Sequence, residues 1–168
     1  MKTLSVFRHA KAKNPDKYES DIERPLARRG HKDAVLMTKI LAGLNLPVDW
    51  IISSPAVRTR ETTEHLLNGL DNTPQVMWND AVYLAYPNTL LSILKKIPRE
   101  VNHVVLVGHN PGMEELVSGL CAGAIERLNV RMSTAALAHI NLEIFWWNQI
   151  RWGCGQLQFL ATPRVMKS

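Results

Sequence analysis

A chain of 168 residues, 46% hydrophobic and 21% charged, is long enough to bury a core without staples and reads as one soluble domain over residues 1–168. Its net charge of +5 favours anionic ligands, but the lysines and arginines are scattered with no run of four or more, which excludes a nucleic-acid groove. No apolar segment reaches the ~18 residues that span a bilayer, and Arg8 interrupts the N-terminal apolar run, so membrane and secretory classes are excluded as well.

Residues 3–7 predict a strand that stops on Arg8-His9. Residues 11–25 are polar, with Pro15 and Pro25 as breakers, and predict a loop at the end of that strand. Leu36, Met37, Ile40, Leu41 and Leu44 recur at helical spacing and predict a helix over 26–44, ended by Asn45 and Pro47. Residues 50–53 are a short apolar strand of the kind buried in a parallel sheet. Ser54-Pro55 reads as the cap and first position of a second helix, running through Arg58, Glu61 and His65 to about residue 70. Residues 75–78 predict a strand, and 90–97 a helix ended by Pro98.

Residues 103–107 form the most strand-like run and predict a central strand. Asn110-Pro111 then reads as the cap of a helix carrying Met113, Leu116, Val117 and Leu120, with Cys121 buried on it. Residues 135–142 and 156–161 predict two more strands around a loop that holds Trp146, Trp147 and Trp152 as packing residues. Cys121 and Cys154 belong to no C-x-x-C pair and read as reduced thiols, which suits a cytoplasmic setting. Strand–helix alternation through residue 120 predicts an α/β fold: a three-layer α/β/α sandwich with a mostly parallel central sheet.

Three strand ends share one grammar: Phe7-Arg8-His9, Ser53-Ser54-Pro55 leading to Arg58, and Val107-Gly108-His109-Asn110-Pro111. In an open α/β sheet the carboxyl ends of parallel strands lie along one edge, where ligands bind. Arg8, His9, Arg58 and His109 are therefore expected to meet, and two arginines with two histidines suit a tetrahedral oxyanion, above all phosphate. His31, His65, His103 and His139 lack such a context and read as structural or surface residues. No H-x-x-x-H or Cys/His spacing predicts a metal site.

These motifs, over roughly residues 1–125, closely resemble the histidine phosphatase (phosphoglycerate-mutase-like) superfamily. The Asp21-Ile-Glu-Arg24-Pro-Leu26 element with Gly30, and the short chain, are similar to its SixA-type phosphohistidine phosphatase branch. The resemblance implies a cofactor-independent hydrolase. His9 would take the phosphoryl group as phosphohistidine, Arg8 and Arg58 would hold its oxygens, and His109 would donate a further hydrogen bond. Arg24 would add a phosphate contact. To attack, His9 must be neutral, with its other N–H held, as by a backbone carbonyl.

Two departures from the superfamily bear on this. Ala10 stands where glycine commonly follows the nucleophile, which would strain the turn if it needs a positive φ. A glutamate often supplies the general acid, and Asp80 is the candidate at the equivalent place. A weak acid favours an N–P bond, because a phosphorylated imidazole leaves with less need of a proton. The leading expectation is thus a phosphatase acting on phosphohistidine in proteins. The alternatives are a small-molecule phosphomonoesterase for sugar or nucleotide phosphates, and a non-catalytic phosphate- or phosphoprotein-binding module.

Overall fold

The computed structural model describes residues 1–167. Its elements, in chain order, are β1 (Lys2–Arg8), α1 (Arg28–Ala42), β2 (Trp50–Ser53), α2 (Val57–Gly69), β3 (Gln75–Trp78) and α3 (Pro87–Leu94). They continue with β4 (His103–Gly108), α4 (Gly112–Ala122), β5 (Leu137–Leu142), β6 (Gly155–Ala161) and the short α5 (Pro163–Met166). The six strands form one sheet in the order β3-β2-β4-β1-β5-β6. The first four are mutually parallel; β5 pairs antiparallel to β1 and β6 antiparallel to β5, so β5 alone of the six described strands runs against the others.

The sheet is covered on both faces because its central strands are apolar at successive positions. From β4, Val104 and Leu106 pack with Leu90, Leu94, Met113 and Leu116 of α3 and α4. The intervening Val105 and Val107 pack with Met37, Leu41 and Leu66 of α1 and α2. Strand side chains alternate between faces, so one run of valines and leucines feeds two cores. Each fully buried side chain of this size contributes roughly 1.5–3 kcal/mol. The three-layer expectation is therefore met.

Register brings the predicted strand ends together. Phe7 of β1 pairs with Val107 of β4, and Val107 pairs with Ser53 of β2. The chain leaves all three strands at the same level, where the His9 N–H donates to the Gly108 carbonyl at 3.0 Å and the Ser54 N–H to the Val107 carbonyl at 3.2 Å.

Several local expectations are corrected. Ser54 does not cap α2: the cap position is Ala56, and the Ser54 hydroxyl instead accepts from the Ala56 N–H at 3.3 Å. Nor does Asn110 cap α4, which begins at Gly112 after a cis Asn110–Pro111 bond. The Asn110 amide turns away to donate to the Met132 carbonyl at 3.0 Å. Ala10 carries no positive φ, so it brings no such strain; among the described residues the left-handed ones other than glycine are Asn45, Leu84 and Ala135. Cys121 lies in the last turn of α4 and is only half-buried, whereas Cys154 is the buried thiol. Gly30 holds a close approach, since a Cβ there would lie 2.2 Å from the Lys11 carbonyl oxygen. That contact presses the first turn of α1 against the polar loop after β1.

Candidate active site

At the carboxyl edge of β1, β2 and β4 lies a cavity of about 380 Å³, lined by Arg8, His9, Lys11, Asp21, Arg24, Arg58, Leu84 and His109 among others. Arg8 and His9 leave β1, Arg58 comes from the first turn of α2, and His109 follows β4. The polar loop folds back over this edge, pinned by the Ala12–Leu26 bridge, and supplies Arg24 and Asp21. Five of the six residues singled out from the sequence thus line one cavity.

The sixth, Asp80, does not. Strand β3 ends at the sheet's edge, and the turn after it buries Val82 while leaving Asp80 exposed. The residue of this turn that reaches the site is Tyr83. The only carboxylate lining the cavity, among the described residues, is Asp21.

His9 is 8% exposed, and its Nδ1–H donates to the Ala10 carbonyl at 2.8 Å. A carbonyl only accepts, so Nδ1 carries the proton and Nε2 keeps its lone pair. Burial pushes the His9 pKa down from 6.5 to about 4; the Ala10 bond opposes this, and Arg58, Arg8 and Arg24 add to it. The Ala10 N–H is held in turn by Thr62 Oγ1 at 3.1 Å, fixing the turn on which the imidazole rides.

His109 stands beside it, ring centroids 5.1 Å apart. Its Nδ1 faces Arg58 Nη2 at 3.3 Å, and a guanidinium only donates, so Nδ1 accepts and Nε2–H donates to Ser54 Oγ at 2.8 Å. Burial, then His9 and Arg58, lower its pKa to about 3. Both histidines are therefore neutral at ordinary pH, and both nitrogens of His109 are engaged inside the protein.

The arginines are held by groups far away in sequence. Arg8 Nη1 donates to the Met132 carbonyl at 2.6 Å, and Glu114 holds the same residue by accepting the Met132 N–H at 2.7 Å. Arg58, 2% exposed, donates from Nη1 to the Asp21 carbonyl at 2.6 Å and from Nη2 to Asp21 Oδ2 at 2.8 Å. Arg24 Nη2 meets Asp21 Oδ1 at 2.9 Å, and the Tyr83 hydroxyl donates to Asp21 Oδ2 at 2.7 Å. Burial alone would raise the Asp21 pKa, but the Tyr83 and Arg58 hydrogen bonds, with the charges of Arg58 and Arg24, hold it down at about 2.

Asp21 and Glu114 were not distinguished as site-supporting groups by sequence reasoning; Asp21 had one available signal, its place three residues before Arg24. Glu61 of α2 accepts the Leu26 N–H at 2.6 Å and anchors the loop that carries Arg24. His31 and His65 bond each other at 2.9 Å, and His103 and His139 share Ser5 in the buried sheet, so these four are structural. Among the described residues, no group of three or more His, Cys, Asp or Glu is placed to hold a metal.

Four cationic side chains, Arg8, Lys11, Arg24 and Arg58, face one carboxylate across this cavity. The buried Nε of Arg8, Arg24 and Arg58 has no hydrogen-bond partner within the protein. Buried donors are rarely left so, and clustered cationic donors suit a multivalent oxyanion.

The neutral histidines imply a pH dependence of stability. His9, His103 and His109 titrate near 4, 4 and 3 when folded, below the ordinary 6.5. Below pH 6.5 the unfolded chain binds more protons, so their stabilisation is full above 6.5 and is lost as pH falls towards 4. Urea midpoints should drop between pH 7 and pH 4.5; an unchanged midpoint would contradict the neutral assignments.

An α/β sandwich with phosphate-suited histidines and arginines at its strand ends is the architecture of one class of phosphoryl-handling enzymes. The family described as "Histidine phosphatase superfamily (branch 1)" matches residues 4–80. An uncharacterised Mycobacterium tuberculosis protein is 32% identical over 165 residues, covering 94% of this chain and all of that one. The structure of the protein histidine phosphatase SixA complexed with tungstate superposes with a TM-score of 0.83 at 22% identity, over 98% of this chain and 99% of that one, a likeness of fold. A SixA protein from Agrobacterium tumefaciens gives 0.80 at 27% identity, over 96% and 98% of the two chains.

The chain belongs to the histidine phosphatase superfamily, and it superposes on solved SixA structures with TM-scores of 0.80 to 0.83. It is a phosphatase-type hydrolase, as members of that superfamily are. No helix among the described residues is long and apolar enough to cross a membrane.

Proposed function

We propose that the protein hydrolyses phosphohistidine in proteins through a covalent intermediate on His9. The supporting observation is the pairing of a neutral, oriented His9 with a cavity whose single carboxylate is locked in its ionised form. In the first step the His9 Nε2 lone pair forms a bond to phosphorus while the bond to the leaving group breaks. Arg8, Arg58 and Arg24 stabilise the phosphoryl oxygens electrostatically, and Arg58 does so while held rigid by Asp21. His109 supports Arg58 through Nδ1, and can reach the phosphoryl group itself only by leaving Ser54. Water then attacks the phosphohistidine, releases inorganic phosphate and restores His9.

An alkoxide leaving group needs a proton at this stage, and no lining carboxylate carries one. A phosphorylated imidazole departs without that help, which favours phosphohistidine over sugar or nucleotide phosphates. The polar loop and an open mouth suit a protein-borne phosphoryl group.

The test compares a phosphohistidine protein with a phosphomonoester, using wild type and Asp80→Asn. The wild type should favour phosphohistidine, and Asp80→Asn should leave both rates within about threefold, the range of a surface change. A large, ester-specific loss in Asp80→Asn would restore Asp80 as general acid and the phosphomonoesterase reading with it. Binding without turnover of either substrate would identify a non-catalytic binding module.

A further inference from the structure

Asp21 poses a question that anion binding alone does not answer. A carboxylate beside a cationic cleft weakens the binding of any purely anionic ligand by repulsion. Yet this one is ionised, lines the same cavity as His9, and stands outward of it: its side chain is 42% exposed against 2% for Arg58. Three donors reach it, Arg24 Nη2 on Oδ1, and Arg58 Nη2 and the Tyr83 hydroxyl on Oδ2. A carboxylate offers about four lone-pair sites, so one acceptor position remains for a ligand.

Attack on phosphorus is in line, with the entering and departing atoms on opposite sides. His9 is 8% exposed and the Asp21 side chain 42%, so His9 is the deeper group and a leaving group opposite it is directed outward, towards the level of Asp21. A phosphoimidazole fits this polarity. Its phosphoryl end is anionic, while its second ring nitrogen takes up a proton and makes the ring cationic. Cleavage of the P–N bond returns the bonding pair to the ring nitrogen and releases a neutral imidazole that keeps the proton on its other nitrogen. No proton transfer from the enzyme is needed.

We propose that Asp21 is the specificity-determining residue for the leaving group, accepting the distal N–H of a phosphoimidazolium while the arginines hold its phosphoryl end. This deepens, and rests on, the phosphohistidine reading of the site. The cavity then matches a zwitterion, with Arg8 and Arg58 inward and Asp21 outward. A phosphate ester has no cation for Asp21 to meet.

The experiment measures kcat/KM for free phosphohistidine and for p-nitrophenyl phosphate in wild type and Asp21→Asn. Inhibition by inorganic phosphate serves as an independent reading of how well the arginines are held. The ratio of phosphohistidine to ester activity should fall by about 10- to 100-fold in Asp21→Asn, the size of one lost charge-assisted hydrogen bond. The wild-type ratio should also decline with rising pH as the substrate ring loses its proton, and less steeply in the variant. Equal losses on both substrates, together with weaker phosphate inhibition, would overturn the proposal and leave Asp21 as a positioning residue for Arg58. Ester hydrolysis by wild type with no phosphohistidine turnover would instead sink the substrate reading itself, and this inference with it.

Discussion

Replacing His9 with alanine should lower turnover of every phosphoryl substrate by on the order of 10,000-fold, the scale of loss when a covalent nucleophile is removed. The expectation follows from how the side chain is held. The Ala10 carbonyl takes the Nδ1 proton, which leaves Nε2 unprotonated and fixes the plane of the ring. Burial and three nearby arginines keep the imidazole neutral down to about pH 4, so its lone pair is available throughout the neutral range. Nothing else lining the cavity offers a comparable lone pair: His109 spends both nitrogens on Arg58 and Ser54. Wild type given a radiolabelled phosphoryl donor should become labelled, and His9→Ala should not. Full activity in the variant, with its circular dichroism unchanged, would remove His9 from the mechanism.

The second large effect is expected at Arg58, where Arg58→Lys should lower kcat/KM by about 100- to 1,000-fold, the range found when one preorganised transition-state donor is lost. Charge is conserved in this change, so the loss isolates geometry. The guanidinium reaches the Asp21 carbonyl, Asp21 Oδ2 and His109 Nδ1 at once, as a planar fork can. An ammonium is a point charge on a flexible stem and cannot span the three. The loss should fall on ester and phosphohistidine alike, because both present the same phosphoryl oxygens. A loss below about tenfold would mean that charge alone suffices there. Arg58→Lys and Asp21→Asn are therefore separable: the first lowers both substrates, the second changes their ratio.

Much of this site was legible before any coordinates. The runs at 3–7, 50–53 and 103–107 are apolar enough to be buried strands, and each stops on polar residues. Parallel strands align their ends by backbone hydrogen bonding, so Arg8, His9, Arg58 and His109 had to gather at one edge. Arg24 was legible for a different reason, as part of a short motif rather than of a periodic element. The helix ends were read less well. Ser54 and Asn110 are good caps in isolation, but in the fold one accepts from His109 and the other reaches Met132. Asp80 failed for a related reason: position along the chain located the right turn, but the burial of Val82 faces Asp80 to solvent and Tyr83 to the site.

By itself the sequence determined the sheet, its two apolar coverings and the four residues at its strand ends, because these follow from periodicity and from the alignment of parallel strands. The tertiary structure decided what holds those residues and what opposes them. Asp21 reaches Arg58 across 37 positions, Met132 reaches Arg8 across 124, and Glu61 anchors Leu26 across 35. Such contacts depend on the path of irregular loops, which carry no hydrophobic period and are placed only when the cores beneath them have packed. The gathering of the arginines and histidines was thus encoded locally; the carboxylate set among them emerged only from the fold.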